Sequence, residues 1–154
     1  MTKQNTTKLR PATLNDVEPL ATLSHKTVLE KYPSVIGKEK VEGYVASGAV
    51  PAYYHDRNQY CVVAEQDGVV VGVYATKDNT VDLMMVDLAY HRSGVGSLLL
   101  ADAEKNLSEK YDKLSLESFR DNTQAVAFYK KHGWLIERHF DDLDYDIPMV
   151  QMVK

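Results

Sequence analysis

The first half of the chain begins with apolar residues at helical spacing. Positions 17–31 carry such a stripe after Asn15 and Asp16, two residues that can cap a helix, so the pattern predicts a helix over this range. Positions 32–37, which include a proline and a glycine, interrupt the pattern. A second, shorter helix is predicted over Lys38–Ala46.

The hydrophobic pattern then changes to that of β-strands. Three runs rich in β-branched and aromatic residues cover about Gln59–Glu65, Val69–Thr76 and Thr80–Leu88. They are separated by Asp67-Gly68 and Asp78-Asn79, dipeptides typical of tight hairpin turns. The pattern therefore predicts an antiparallel meander.

The second half of the chain alternates between helix and strand. In chain order the patterns predict a helix, a strand, a helix and two strands, over Gly96–Leu107, Lys113–Ser118, Asn122–Gly133, Trp134–Phe140 and Ile147–Lys154. A further short strand is predicted at Lys8–Ala12. This order predicts an α+β fold with one central, mixed but mostly antiparallel sheet flanked by helices. The segment Tyr53–His55 is assigned to the loop before the meander.

Composition and charge narrow the function classes. A chain of 154 residues predicts one domain, spanning residues 1–154, in which the polar residues 1–6 are loosely held. The formal net charge of -4 argues against a nucleic-acid-binding protein, and no apolar run has the length of a membrane span. The lone Cys61 offers neither a disulfide nor a zinc framework, and it is assigned to the core. We therefore expect a cytoplasmic protein without a metal site, a nucleic-acid partner or a membrane partner.

The segment Tyr90–Gly96, YHRSGVG, joins the third meander strand to a helix. The first turn of a helix has free N–H groups and the positive end of the helix dipole, and glycine lets an anion approach the backbone. The residues Ser97 and Leu98 exclude a P-loop, and Leu99 excludes a dinucleotide fingerprint. The loop suits a phosphate, but taken alone it favours a plain turn between strand and helix.

A second motif, NTQAVAFYKKHGW, covers Asn122–Trp134. Asn122 can cap the helix, its basic residues suit the helix C-terminus, and Gly133 can end it. These features are those of an ordinary helix and do not by themselves indicate a function.

Together the two segments resemble the GNAT superfamily of acetyl-CoA-dependent N-acyltransferases. The strand and loop MMVDLAYHRSGVG, Met84–Gly96, corresponds to the family's strand and glycine motif. The second family motif is matched at Asn122, Ala125, Phe128, Tyr129 and Gly133, with Trp134 in place of phenylalanine. The resemblance covers about residues 8–153. Two positions depart from the family pattern, since His91 replaces the usual Arg or Gln and Leu88 the usual Pro.

The resemblance implies a binding site for acetyl-CoA as cosubstrate. The coenzyme pyrophosphate would lie on backbone N–H groups of Arg92–Ser97, and the pantetheine arm would pair with Met84–Val86 like an added strand. A backbone N–H near Met84 or Met85 would be the oxyanion donor. Because neutral His91 carries no charge, any positive charge would come mainly from Arg92. The implied coenzyme-binding residues are Met84, Met85, Val86, His91, Arg92, Ser93, Gly94, Val95, Gly96, Ser97, Asn122 and Tyr129.

Two catalytic roles are implied. Tyr129 is the candidate acid that protonates the leaving thiolate, which is uphill by about 2 kcal/mol from the ordinary pKa values of a phenol and a thiol. Its alternative is a helix tyrosine packed beside Phe128. Asp82 is the candidate base, because many family members carry a Glu four residues before the position of Val86. Its alternative is a solvent-facing aspartate at the end of a strand.

The implied activity is direct transfer of an acetyl group to a primary amine in a ternary complex. Candidate acceptor-site residues are Tyr32, Tyr53, Tyr54 and His55, and the acidic run Asp141–Asp146 is either a solvated hairpin loop or an attractor for a cationic acceptor. The acceptor class, a small-molecule amine or a peptide or protein amine, stays open, and a homodimer is common among similar proteins. A catalytically idle acyl-CoA-binding module is the alternative function.

Overall fold

The computed structural model describes residues 6–144 and 146–154. The strands are β1 Lys8–Pro11, β2 Cys61–Gln66, β3 Val69–Lys77, β4 Thr80–Val86, β5 Ser115–Phe119, β6 Leu135–Asp142 and β7 Ile147–Val153. The helices are α1 Val17–Lys31, α2 Pro33–Ile36, α3 Lys38–Ala46, α4 Ala49–Asp56, α5 Val95–Ser108 and α6 Thr123–Lys131. Of the regions singled out above, the first five residues of the polar N-terminus and Tyr145 of the acidic run lie outside the described residues.

The strands form one seven-stranded sheet in the order β1-β2-β3-β4-β5-β7-β6. Each neighbouring pair is antiparallel except β4 and β5, which run parallel. The predicted α+β class, with a mixed and mostly antiparallel sheet flanked by helices, is confirmed. The predicted meander is β2-β3-β4, and its first turn has positive φ at both Asp67 and Gly68, as a tight hairpin requires.

The sheet has a hydrophobic core on each face. One core packs α5 and the region around α6 against the sheet, with Leu99, Leu100 and Trp134 fully buried. The other packs α1 and α4 against the sheet, with Leu20 and Tyr54 fully buried. The apolar faces of α5 and of α1 are therefore buried against opposite faces of the sheet.

Cys61 belongs to the second core, as expected for a structural thiol. Its side chain is 2% exposed, and burial raises the pKa of the thiol to about 11. The residue is therefore a neutral thiol at neutral pH, which makes it a poor nucleophile.

The assignment of Tyr53–His55 to a loop is wrong. These residues lie in α4, which begins after Gly48 and carries Pro51 as its third residue. A proline in the first helical turn loses no intrahelical hydrogen bond, because the N–H groups there have no i−4 partner. Within the part of the chain that the structure describes, none of these helices combines the length and the apolar character needed to cross a membrane.

Candidate active site

The strands β4 and β5 separate after a short paired stretch. Their register joins Thr80 to Ser115 and Val81 to Leu116, whereas β5 continues beside β7 as far as Phe119. Beyond Val81, the edge of β4 therefore faces a gap rather than a strand of the described chain. The gap holds a cavity of about 700 Å³ that is lined by β4, the end of α1, the start of α5 and one side of α6.

Asp82 forms a bulge in β4. Leu83 and Val81 lie opposite the successive residues Ala75 and Thr76 of β3, so Asp82 is the extra residue between them. A bulge shifts the alternation of the strand by one residue. Alternate residues that direct their backbone groups toward β5 before Asp82 are therefore followed, in the same odd or even series, by residues that direct them toward β3.

The bulge decides which backbone groups of β4 face the gap. The N–H of Asp87 donates to the carbonyl of Val71 on β3 at 2.8 Å. Because hydrogen-bonded positions alternate in an antiparallel pair, Met85 also faces β3, whereas Met84 and Val86 direct their N–H and C=O groups into the gap. Of the two expected oxyanion donors, this geometry favours the N–H of Met84.

The start of α5 presents free N–H groups to the same cavity. Gly94 is the N-cap in the left-handed conformation, with φ of 89°. The first intrahelical bond runs from the N–H of Leu98 to the carbonyl of Gly94 at 3.1 Å, so the N–H groups of Val95, Gly96 and Ser97 precede it. An anion here meets these donors and the positive end of the helix dipole.

Gly96 keeps the approach to these donors open. A Cβ atom at this position would lie 3.4 Å from the ring of Phe128 on α6 and 3.8 Å from the side chain of Val86. A Cβ atom would thus be in van der Waals contact with both side chains, and a side chain longer than that of alanine would have to displace Phe128 or extend into the cavity.

His91 is tied to the end of β4. Its Nε2 lies 2.9 Å from the carbonyl of Val86, and since a carbonyl only accepts, Nε2 carries the hydrogen and donates it. Arg92 follows in the left-handed conformation with φ of 64°. Both residues line the larger cavity, as does Lys131 from α6. The ring donor of His91 is thus engaged by protein, while the guanidinium of Arg92 adds positive charge to the cavity.

The structure brings most of the implied coenzyme-binding residues together. Ten of the twelve line the larger cavity: Met84, Met85, Val86, His91, Arg92, Gly94, Gly96, Ser97, Asn122 and Tyr129. The two others contribute no side chain to its wall. The hydroxyl of Ser93 donates to the carbonyl of Tyr90, and Val95 is buried in the core at 1% exposure.

Helix α6 places Tyr129 at the cavity. Asn122 caps the helix by accepting a hydrogen bond from the N–H of Ala125 at 3.3 Å. One helical turn further, the Tyr129 ring packs edge-on against Phe128, with ring centroids 5.3 Å apart. Burial, with a smaller contribution from the neighbouring Tyr32, raises the pKa of Tyr129 above its ordinary value. Tyr129 is therefore a neutral phenol that holds its proton across the physiological pH range.

A second, smaller cavity of about 210 Å³ lies between α1, α3, α4 and β4. Asp82 lines this cavity, and its Oδ2 accepts a hydrogen bond from the hydroxyl of Tyr53 at 2.7 Å. Burial and this bond raise the pKa of Tyr53. Asp82 and Tyr129 therefore line different cavities, which share Met85 as a common wall residue.

The four candidate acceptor residues fall into three places. Tyr32 lines the larger cavity and packs edge-on against Phe119, with ring centroids 5.3 Å apart. Tyr53 and Tyr54 line the smaller cavity, where the hydroxyl of Tyr54 is hydrogen-bonded to that of Ser24 at 2.6 Å. His55 lines neither cavity, and its exposed ring lies beside Asp56.

Sequence reasoning missed one link between the two motifs. Nδ1 of His132 donates to the carbonyl of Phe128 at 2.8 Å, so in the neutral ring Nε2 accepts a hydrogen bond from the hydroxyl of Ser97, which lies 3.0 Å away. The bond joins the end of α6 to the first turn of α5, and both residues line the larger cavity. In the sequence His132 carries only the signal of a basic residue at a helix C-terminus.

No cluster of metal-ligating side chains occurs among the described residues. The described walls of the two cavities present backbone donors, six tyrosine side chains, two carboxylates and the positive charge near the start of α5.

Comparisons with known proteins agree with this geometry. The family model described as acetyltransferase (GNAT) domain matches residues 20–154. The chain is 40% identical over 68 residues to the uncharacterized N-acetyltransferase YjcF of Bacillus subtilis, covering 44% of this chain and 47% of that protein. It is 27% identical over 146 residues to an N-alpha-acetyltransferase of Sulfurisphaera tokodaii, covering 82% and 79% of the two chains. The chain spans about half the length of the Bacillus subtilis relatives that it matches.

Among solved structures, the fold resembles that of the PaiA N-acetyltransferase from Thermoplasma acidophilum in complex with coenzyme A. The TM-score is 0.75 at 20% identity, and the superposition covers 97% of this chain and 98% of that one. At this identity the likeness concerns the fold.

Proposed function

Because the chain belongs to the GNAT acetyltransferase family, we propose that it transfers the acetyl group of acetyl-CoA to a primary amine by direct attack in a ternary complex. The observation that carries this proposal is the gap between β4 and β5. One cavity there unites an open strand edge, the N-terminus of α5 and Tyr129.

The coenzyme would lie along this cavity. Its pyrophosphate would accept hydrogen bonds from the N–H groups of Val95, Gly96 and Ser97, with Arg92 and Lys131 supplying positive charge. Its pantetheine amides would pair with the carbonyl of Met84 and the N–H of Val86, as an added strand does, because the carbonyl of Val86 already accepts a hydrogen bond from His91. The thioester would then lie near the N–H of Met84, with Tyr129 on the facing helix.

The proposed reaction moves two protons away from the ammonium form of the acceptor. The first leaves before attack, with Asp82 as the base, and yields the neutral amine. The amine nitrogen then bonds to the thioester carbon while the N–H of Met84 stabilises the oxyanion. As the C–S bond breaks, Tyr129 protonates the sulfur, and the second nitrogen proton restores Tyr129 through solvent. The sum is an N-acetyl amide, a free thiol and one proton released to water.

Replacing His91 by alanine is expected to weaken coenzyme A binding only modestly. Its ring donor is engaged by the carbonyl of Val86, so we expect an increase in Kd of about threefold, as for a neutral, partly exposed contact. Arg92→Ala should raise Kd by about tenfold or more, because a charge-assisted hydrogen bond is lost. Isothermal titration with coenzyme A measures both. A loss in His91→Ala as large as that in Arg92→Ala would show that the imidazole itself contacts the phosphates.

Replacing Asp82 by asparagine tests the proposed base. An asparagine keeps the side-chain shape but cannot take a proton, so we expect kcat/KM to fall by about a hundredfold. The acidic limb of the pH–rate profile should be lost or displaced. Asp112→Asn, at an exposed position away from both cavities, serves as the matched control. An acidic limb that is the same in Asp82→Asn and in the wild type would place the base elsewhere, or mean that the amine arrives neutral.

The activity itself is tested by thiol release from acetyl-CoA with a panel of amines that includes peptides. We expect release that depends on both acetyl-CoA and an amine, together with formation of the N-acetyl product. Tight coenzyme binding without turnover on any amine would instead support an acyl-CoA-binding module.

A further inference from the structure

The walls of the smaller cavity are mainly apolar and aromatic. Its nonpolar side chains come from α1, α4 and β4, namely Val28, Val50, Leu83 and Met85. Three tyrosines complete the wall, Tyr44, Tyr53 and Tyr54, and the rings of the last two meet edge-on with centroids 5.6 Å apart. The hydroxyls of Tyr54 and Ser24 bond to each other, so each of these two polar groups has a partner within the protein.

One charge stands at this cavity. Among the described residues that line it, Asp82 is the only charged one. Its Oδ2 accepts one hydrogen bond from Tyr53, and a carboxylate can accept about four. Asp82 therefore keeps acceptor capacity for an ammonium group.

The cavity is also placed for the proposed chemistry. Asp82 lies two residues before Met84 in β4, which along a strand is about 6–7 Å. An ammonium nitrogen held on Asp82 would therefore lie along the same stretch of β4 as the proposed oxyanion donor, the N–H of Met84. Met85 lines both cavities, so the two cavities adjoin at this residue of β4.

Size and charge restrict the acceptor. A volume of about 210 Å³ is below the range of about 300–1,000 Å³ that holds drug-sized ligands. A polyamine would bring a second cation for which the described wall has no second carboxylate. An amino acid would bring its own carboxylate close to Asp82, and like charges repel.

We infer that the smaller cavity is the acceptor pocket of the proposed acetyltransferase and that it binds a compact primary monoamine with an aliphatic or aromatic body, its ammonium group paired with Asp82. This inference rests on the proposed function. It selects one acceptor class among the small-molecule, peptide and protein amines that the sequence leaves open.

The test compares 2-phenylethylamine and isoamylamine with spermidine, phenylalanine and a hexapeptide that has a free N-terminus. Thiol release from acetyl-CoA gives kcat/KM for each amine. We expect the two monoamines to exceed the other three by about tenfold or more, the size of one charged contact. Spermidine, phenylalanine or the peptide equalling the monoamines would overturn the inference.

Binding is measured separately from turnover, by titrating 2-phenylethylamine into the protein saturated with free coenzyme A. Asp82→Asn should weaken this binding by about tenfold to a hundredfold, while coenzyme A affinity and thermal unfolding stay as in the wild type. Asp112→Asn should change neither binding step. Unaltered amine affinity in Asp82→Asn would overturn the inference.

A second comparison needs no variant. The neutral analogue 2-phenylethanol has the same aromatic body without the ammonium group, and it should bind the wild type at least about tenfold more weakly than 2-phenylethylamine. Equal binding would show that Asp82 does not select the ligand.

The two levels of proposal fail in different ways. Acetylation of the peptide alone would overturn the acceptor class and leave the acetyltransferase function standing. Failure of acetyl-CoA to bind, or of every amine to release thiol, would overturn the proposed function and the inference with it.

Discussion

Tyr129→Phe is expected to lower kcat by at least about tenfold while coenzyme A affinity stays within about twofold of the wild type. The substitution removes only the hydroxyl oxygen, and the ring keeps its edge-on packing against Phe128. The proposed contacts to the pyrophosphate come from α5 and its preceding loop, so we expect them to be unaffected. The measurements are steady-state thiol release at saturating acetyl-CoA and isothermal titration with coenzyme A.

The raised pKa of Tyr129 agrees with a role as acid. A partly buried phenol whose pKa is raised stays protonated, so the proton is present when the sulfur needs it. The same burial disfavours a free thiolate, which raises the proton affinity of the leaving sulfur in parallel. From the ordinary pKa values of a phenol and a thiol the transfer is uphill by about 2 kcal/mol, which a direct hydrogen bond can offset.

Tyr90→Phe is the matched control for Tyr129→Phe. Tyr90 lines the same cavity but belongs to the segment that leads into the glycine loop. We expect its kcat to change by less than about threefold, since no proton transfer is assigned to it. Equal kcat in Tyr129→Phe and the wild type would remove Tyr129 from the mechanism and leave protonation of the thiolate to water.

Local signals were sufficient for most of the fold. The helix over 17–31, the helix Lys38–Ala46 and the three meander strands follow from periodicity and from turn dipeptides, which act within a few residues of sequence. Helix α4 was not predicted, because glycine and proline, here Gly48 and Pro51, are residue types typical of loops. In the structure Gly48 is the N-cap and Pro51 lies in the first turn, where neither residue disrupts a helix.

The site was less accessible to sequence reasoning, because its decisive features depend on pairing between distant segments. The bulge at Asp82 is a property of the register between β3 and β4, and it selects Met84 over Met85 as the residue whose backbone faces the gap. The bond between Ser97 and His132 joins residues 35 positions apart. The placement of Asp82 and Tyr129 in adjoining cavities depends on where β4 leaves β5.

Gly94→Val is expected to weaken coenzyme A binding by about a hundredfold or more. At φ of 89° Gly94 holds a conformation that costs a residue with a side chain about 1–2 kcal/mol, and a β-branched residue more. Relief of this strain requires the loop and the first turn of α5 to shift, which moves the N–H groups of Gly96 and Ser97 away from the anion. Losing two charge-assisted hydrogen bonds of about 1.5 kcal/mol each corresponds to about a hundredfold in Kd.

Gly48→Val separates this loss of binding from loss of stability. Gly48 is also a helix N-cap in the left-handed conformation, with φ of 78°, and a Cβ atom at either glycine would meet nothing within 4 Å. The two variants should therefore lose similar unfolding free energy, about 1–3 kcal/mol, in thermal or urea denaturation. Only Gly94→Val should lose coenzyme A in isothermal titration, because α5 lines the larger cavity whereas α4 does not. Equal binding by both variants would mean that the pyrophosphate lies elsewhere, whereas equal loss in both would trace the effect to stability rather than to the backbone donors of α5.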